Sequence, residues 1–177
     1  EQIRSKLRLT AAAIQLPIGL EDALEGVVDL IEMRSIYFDG PSGEQVRYDA
    51  VPAHLEAEAV ATRADLVASL ADVDDDIAEL FLMEEDPTAE QLHSAIRKQV
   101  IAQKFVPVLM GSALKNTGVQ PMLDAAVQYL PSPGDRSYHA LDIKNDEAVV
   151  PISPKDPNAP FVGLGFKVEK TQFGQLT

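Results

Sequence analysis

The spacing of apolar and polar positions changes period several times along the chain. Between residues 14 and 38 the apolar residues come in short β-rich runs: residues 14–20 with Pro17 and Gly19, then Val27-Val28-Asp29-Leu30-Ile31, then Ile36-Tyr37-Phe38. The cluster Asp39-Gly40-Pro41-Ser42-Gly43 reads as a turn, and Val46 and Tyr48 as part of a return strand. This pattern predicts a small antiparallel sheet. From residue 53 to 71 the period becomes helical, with Leu55, Ala59, Leu66 and Leu70 on one face and Glu56, Arg63 and Asp65 turned elsewhere. Ile77, Leu80 and Phe81 predict a second helix, with Asp74, Asp75 and Asp76 in its first turn, where the helix dipole favours carboxylates. Thr88-Ala89-Glu90-Gln91 is a capping box, and Leu92, Ile96 and Val100 form the stripe of the helix it starts.

Phe105-Val106-Pro107-Val108-Leu109-Met110 is an unbroken apolar run too short for a helix, and it predicts a fully buried parallel strand. A polar loop covers residues 111–118. Pro121 suits a helix start, with Met122, Leu123, Ala126, Val127 and Leu130 as the buried face. Strand, loop and helix make one step of an α/β sheet. Residues 131–160 are proline-rich and read as a linker with one extended piece at Ala148-Val149-Val150. Residues 161–168 alternate like a strand, and Gln172-Phe173-Gly174 reads as a turn. A strand and a stub cannot close a β domain, so the reading is a chain cut just inside a second domain. The start, Glu1-Gln2-Ile3-Arg4, lacks Met and a signal core, which gives the same expectation of a piece of something longer.

Composition narrows the function. The 177 residues are 46% hydrophobic and 24% charged, a globular balance. The net charge of -13 disfavours nucleic-acid phosphates and favours a basic protein partner. There is no cysteine, which excludes thiolate chemistry and disulfides. His54, His93 and His139 are scattered, with no metal-ligand spacing, so no metal site is expected. No pair of carboxylates stands out as an acid/base couple, and no catalytic residue is assigned. A phosphate loop of the form G-x-x-x-x-G-K-[ST] is absent, as is Asn-Lys-x-Asp; Lys144-Asn145-Asp146 has similar residues in the wrong order.

The informative segment is Gly111-Ser112-Ala113-Leu114-Lys115-Asn116-Thr117-Gly118-Val119-Gln120, directly after the predicted parallel strand. Open α/β sheets bind ligands outside the carboxyl ends of their strands, although an ordinary strand-to-helix connection also uses glycines. Gly-Ser-Ala-Leu-Lys-Asn, then Gly-Val-Gln-Pro-Met-Leu-Asp-Ala and Tyr129-Leu130-Pro131-Ser132-Pro133, resemble translation elongation factor G. Ile14 to Phe38, Arg97-Lys98 with Phe105 to Val108, Phe161 to Lys167, and Phe173-Gly174-Gln175-Leu176-Thr177 resemble the same family in order. Residues 140–145 and the Gln-Phe-Gly-Gln-Leu-Thr ending are more similar to the mitochondrial type. Thr117 departs from the family, which usually carries Lys there.

The resemblance implies an α/β fold: the end of a P-loop-type GTPase domain with a mixed α+β insertion, then a truncated β-barrel start. Its parts would be a GTPase-domain remnant at 1–13, the insertion at 14–104, the domain's last strand, loop and helix at 105–136, a linker at 137–160 and first strands of the second domain at 161–177. It further implies a guanine-binding loop at Ser112, Ala113 and Leu114, with the Ala113 and Leu114 amides facing the base and Ser112 shaping the turn. Guanine O6 is an acceptor where adenine offers a donor, so such amides reward guanine. The longer protein would be a translational GTPase that uses GTP/GDP and Mg and moves tRNA and mRNA through the ribosome. This piece, without phosphate loop and switch residues, is expected to be inactive and to bind no nucleotide alone. The mitochondrial matrix is the implied location, with the bacterial cytoplasm as the alternative.

From His54 to Glu90 twelve acids face a single base, Arg63, whereas residues 91–104 hold Arg97, Lys98 and Lys104 and no acid. A solvated helix face explains such a run. The family uses this insertion to meet the mobile stalk protein of the large ribosomal subunit, so the resemblance implies that Glu56, Glu58, Asp65, Asp72 and Asp76 help form a docking face. Other readings stay open: another translational GTPase (recycling, release or ribosome protection), or an acidic adaptor without nucleotide.

Overall fold

The computed structural model describes residues 2–7, 9–153, 156, 158, 161–163, 165–172 and 174–176. Glu1, the linker prolines Pro154, Pro157 and Pro160, and Leu164, Phe173 and Thr177 of the expected second-domain start lie outside them. The chain divides into two compact units, residues 1–130 and 131–177.

The first unit opens with a short helix α1 (Gln2–Leu7) and a short strand β1 (Ala11–Ala13). Strands β2 (Gln15–Ile18), β3 (Gly26–Asp29), β4 (Arg34–Asp39) and β5 (Gln45–Asp49) follow as an antiparallel meander in the order β2-β3-β4-β5. A 3₁₀ turn, Glu21–Ala23, links β2 to β3. The pleat turns Val28 and Leu30 into the core, and both are fully buried. Three helices cover the sheet's apolar side: α2 (Glu56–Ala71), α3 (Asp75–Leu82) and α4 (Ala89–Ile101). Leu66, Leu70, Leu92 and Ile96 have no exposed surface and close one core with Val28 and Leu30. Strand β6 (Val106–Val108) then runs parallel to β1, with Ala11 opposite Val106 and Ala13 opposite Val108. Helix α5 (Val119–Tyr129) ends the unit. No described helix is long and apolar enough to cross a membrane.

Among the described residues the second unit holds two hairpins. Strand β7 (Tyr138–Asp142) pairs with β8 (Ala148–Ile152), and β9 (Glu169–Thr171) pairs with β10 (Gly174–Leu176), both antiparallel. There is no closed barrel among the described residues.

Several expectations change. Residues 137–160, read as a linker with one extended piece, contain the β7–β8 hairpin. The alternating stretch 161–168 is not a strand among its described residues, and Phe161 and Phe166 are exposed; alternation without a neighbouring strand does not hold an extended ladder. The run at 105–110 yields only a three-residue strand whose residues are half-buried, because β1 is its sole strand partner among the described residues. On α5 the expected buried face is reversed: Ala125 and Tyr129 are buried, while Met122, Leu123, Val127 and Leu130 are exposed. Ala125 and Tyr129 are one turn apart on the side that meets α4, whereas Leu123 and Val127 are turned away from it.

Two polar groups hold the helices in register. Arg63, expected to point away from the core, turns inward: Nη1 donates to the carbonyls of Leu30 (2.7 Å) and Ile31 (2.8 Å), and Nη2 to that of Pro87 (2.9 Å). A planar fork with several donors can join three carbonyls from two loops at once. Asp74 is the N-cap of α3 rather than a first-turn surface charge, and only 1% of its surface is exposed. Its carboxylate accepts from the Ile77 amide (3.3 Å) and from Gln99 Nε2 of α4 (2.7 Å), and pairs with Lys98 Nζ (3.1 Å). Burial pushes this carboxyl up, but the hydrogen bonds from Gln99, Lys98 and the Ile77 amide outweigh it and hold the group below its usual range. The Thr88 capping box is complete, with Gln91 donating its amide to Thr88 Oγ1 (3.2 Å) and Thr88 donating to Gln91 Oε1 (2.8 Å).

A depressed folded-state pKa gives stability that is present above the unfolded value and lost as pH falls through the folded one. Asp74→Ala should therefore destabilise the first unit by about 2–4 kcal/mol, from a lost cap and an orphaned buried Gln99 amide. Urea unfolding at neutral pH measures this, and below about pH 4 the gap between variant and wild type should narrow. A gap that stays constant with pH would show that folding leaves the Asp74 pKa unchanged.

Candidate functional site

The loop after β6 is closed at its base and tight inside. Ser112 and Thr117 exchange both backbone hydrogen bonds: the Ser112 amide donates to the Thr117 carbonyl (2.8 Å) and the Thr117 amide to the Ser112 carbonyl (3.0 Å). Within that bridge two turns overlap, as the Lys115 amide donates to Ser112 (3.2 Å) and the Asn116 amide to Ala113 (3.2 Å). Asn116 takes the left-handed conformation (φ 52°), which asparagine tolerates better than most residues. The two stems touch: a Cβ on Gly118 (φ 81°) would lie 2.5 Å from the Met110 carbonyl oxygen, and one on Gly111 2.6 Å from that of Thr117.

This geometry decides which amides remain free. Ser112, Lys115, Asn116 and Thr117 donate inside the loop. Ala113 and Leu114 are the central residues of the first turn, whose N–H groups cannot reach the turn's own carbonyl. Among the described residues neither amide has a protein acceptor. The Leu114 side chain is 98% exposed. A cavity of about 190 Å³ lies alongside, lined by Leu109, Met110, Gly111, Ser112, Ala113 and Thr117 among others. The loop thus offers two unpaired donors beside small and apolar surfaces, which suits a flat ligand with an acceptor on its edge. Thr117 itself is buried, so its side chain does not face the loop's exposed tip.

The loop is also tied to the sheet, by residues that the sequence marks only as members of the motif. Lys115 Nζ donates to the carbonyls of Glu21 (3.3 Å) and Asp22 (2.7 Å) in the 3₁₀ turn. Asn116 Nδ2 donates to those of Ser42 (2.8 Å) and Gly43 (3.3 Å) in the β4–β5 turn, and Gln120 Nε2 to Gly43 (2.9 Å). Gly43 (φ 63°) packs its Cα against the loop, where a Cβ would be 3.0 Å from both the Lys115 and Asn116 carbonyl oxygens. Partners more than seventy residues apart leave no local pattern to read.

The five acids expected in one docking face are all exposed but do not form one face. Glu58, Asp65 and Asp72 recur every seven residues and line one stripe of α2 and its C-cap. Glu56 sits at the helix start on the opposite side. Asp76 lies on α3 and pairs with Lys98 Nζ at 3.1 Å. Asp65 and Asp72 border an open groove of about 470 Å³ between α2 and α3, lined also by Ala68, Ala78, Phe81 and Leu82. Phe81 and Leu82 are exposed there, although the spacing of Phe81 puts it on the helix's apolar stripe.

The histidines do not converge. His54 and His139 are exposed, whereas His93 is packed: Nδ1 lies 2.7 Å from the Tyr129 hydroxyl and Nε2 3.3 Å from Glu32 Oε1. Burial, then the charges of Asp29 and Glu32, push the Tyr129 hydroxyl above its usual range, so it stays protonated. Among the described residues no group of three His, Asp or Glu side chains is placed to hold a metal.

No protein-family model matches this chain. Its fold is similar to part of a crystal structure of a protein from Thermus thermophilus, with a TM-score of 0.65 and 20% identity. The match covers 99% of this chain and 27% of that one, so the chain spans about a quarter of the length of its structural relative. At that identity the likeness is one of fold: mixed α/β, with small sheets beside packed helices.

Because Gly118 is left-handed and its stem is in contact with Met110, Gly118→Ala should cost about 2 kcal/mol or more and open the loop. Urea unfolding measures the first effect. Faster exchange of the Ser112 and Thr117 amides measures the second, and an unchanged pair would refute the contact.

Proposed function

We propose that this chain is the base-reading and partner-docking portion of a translational GTPase of the elongation factor G kind, mitochondrial in type. The observation that carries this is the pair of free amides at Ala113 and Leu114, held in a closed loop at the carboxyl end of a parallel strand. A parallel strand followed by a glycine-bounded loop and a helix is where α/β folds place ligands. Two fixed donors there match the O6 acceptor of guanine and leave adenine's amino group facing another donor. Phosphate and Mg contacts, which supply much of a nucleotide's affinity, need residues that this segment does not offer. GTP hydrolysis and the movement of tRNA and mRNA on the ribosome are accordingly assigned to the longer protein, in the mitochondrial matrix.

The acidic stripe supports the second half of the reading. Glu58, Asp65 and Asp72 have no ion-pair partner among the described residues, and Asp65 and Asp72 flank a groove carrying Phe81 and Leu82. Uncompensated charge beside exposed apolar side chains suits a basic partner with apolar anchors, and the ribosomal stalk protein is the partner that this reading names. A recycling, release or protection factor would share both features; residues outside this chain separate them.

Ala113→Pro tests the base contact. Proline suits the second position of such a turn, and Ser112 before it is in an antiparallel bridge with Thr117, so the substitution removes one N–H and keeps the loop. In the longer protein carrying the phosphate loop, GDP affinity should fall about tenfold, near ~1.4 kcal/mol, and weak ADP binding should not change. Equal GDP affinity in the two proteins would sink the base reading. Titration with the stalk protein's C-terminal domain tests docking. Binding should be lost at high salt and in Glu58→Lys/Asp65→Lys/Asp72→Lys, but persist in Glu56→Lys; binding unchanged by the triple reversal at low salt refutes the docking face.

A further inference from the structure

We propose that Lys115 and Asn116 are positioning residues, which make the conformation of the base-reading loop depend on the two turns of the insertion's sheet that they grip. The proposal rests on the reading of residues 112–114 as the base loop, and it adds a regulation of that loop.

The physical case starts from the division of the motif. Its first half, Ser112 to Leu114, keeps its side chains away from the sheet, with Ala113 and Leu114 exposed. Its second half sends both polar side chains backward into the sheet's turns. Lys115 carries a full charge, yet its ammonium donates to two backbone carbonyls, Glu21 and Asp22, rather than to a carboxylate. The Glu21 backbone is itself left-handed (φ 52°), an uncommon state for a residue of its kind, and its carbonyl is one of the two that receive the lysine. Asn116 is left-handed as well and donates to the carbonyls of Ser42 and Gly43.

The turn at residues 40–43 is held from its other side too. Glu44 Oε2 accepts the Ser42 amide (2.9 Å), and the Gly43 amide donates to Gly40 (3.3 Å). Gly43 then lies in backbone contact with Lys115 and Asn116, with no room for a side chain between them. The loop therefore has three grips, at Glu21–Asp22 through Lys115, at Ser42–Gly43 through Asn116 and at Gly43 through Gln120. None of them touches the amides offered to the base. A displacement of either turn pulls on Lys115 and Asn116, the amide-donor ends of the first and second loop turns, and so re-aims the Ala113 and Leu114 N–H groups. The insertion's sheet is thereby linked to ligand retention without contributing an atom to the ligand.

Two measurements test this separately from the base reading. The first needs no nucleotide: amide hydrogen exchange of Lys115, Asn116 and Thr117 in this chain. Lys115→Met and Asn116→Ala should each speed exchange there about tenfold, while amides of α4 stay as protected as in wild type, and Lys115→Arg should restore slow exchange. Unchanged exchange overturns the proposal whatever the loop binds. The second is the GDP dissociation rate of the longer protein, which should rise about tenfold in Lys115→Met and Asn116→Ala. If those variants release GDP at the wild-type rate while Ala113→Pro releases it faster, the base reading stands and the coupling is refuted. If Ala113→Pro has no effect, the base reading falls and the regulation with it, and faster exchange then reports loop anchoring alone.

Discussion

The structure of the first unit depends on one short parallel pairing. Strand β1 and strand β6 lie side by side over three residues each, although ninety-odd residues separate them in the chain. The Ile14 amide donates to Val108 (3.0 Å) and the Val106 amide to Thr10 (2.9 Å), so entry to and exit from everything between are pinned together. The intervening sheet and three helices form an excursion that must return to its starting point. The Leu30 amide donates to Ile14 (3.0 Å), which locks the sheet to that pairing. Parallel pairs this short are weak by themselves, and β1–β6 persists because the core of α2, α4 and β3 surrounds its start. The consequence for the site is direct: the loop can approach the sheet's turns only because β6 is delivered beside β1.

Within this frame the basic residues act as staples between elements. Arg63 joins the loops at Leu30–Ile31 and Pro87, Arg97 donates to the Gln128 carbonyl (2.6 Å) across to α5, and Lys115 joins the loop to the 3₁₀ turn. Their chief acceptors are main-chain carbonyls, the groups that helix ends and turns leave without partners. Arg47, Lys98 and Lys167 pair with surface carboxylates, but none of the stapling cations has an ion pair with Glu58, Asp65 or Asp72 among the described residues. The negative field of α2 is therefore partly a by-product of how the fold is held together. That field falls away within about 8 Å at physiological salt, so it reaches only the immediate surroundings of the stripe.

Period and capping chemistry made the helices and the meander legible. The Thr88 box, the Ile77 and Leu92/Ile96 positions and the turn at residues 39–43 sit where local rules put them. Tertiary choices were not legible. Arg63 has the spacing of a surface residue, and only the meeting of three carbonyls draws it inward. Asp74, Asp75 and Asp76 look alike in sequence, yet Asp74 alone meets Gln99 and is buried. Helix α5 carries apolar residues on two sides, and the pattern does not say which side meets α4. At the loop, the motif identifies the segment, but the partners of Lys115 and Asn116 lie far upstream and share no pattern with it.

The division of labour in the loop follows from the cost of order. Eight residues held in one conformation lose roughly 1 kcal/mol each of backbone freedom, a cost that binding must meet if the fold does not. Free amides in water are solvated and cost nothing until a ligand arrives, so the loop gains by leaving Ala113 and Leu114 unpaired and fixing everything else. The Ser112–Thr117 bridge and the two glycine contacts fix the stems, and the grips on Glu21, Asp22, Ser42 and Gly43 fix the orientation. Stem and orientation are set by different residues, so they are open to separate control. The stem glycines hold backbone contacts that leave no room for a side chain, whereas Lys115 and Asn116 hold the loop through side-chain hydrogen bonds. Under the proposed coupling, that separation is how a sheet with no atom at the ligand would influence how long the ligand stays.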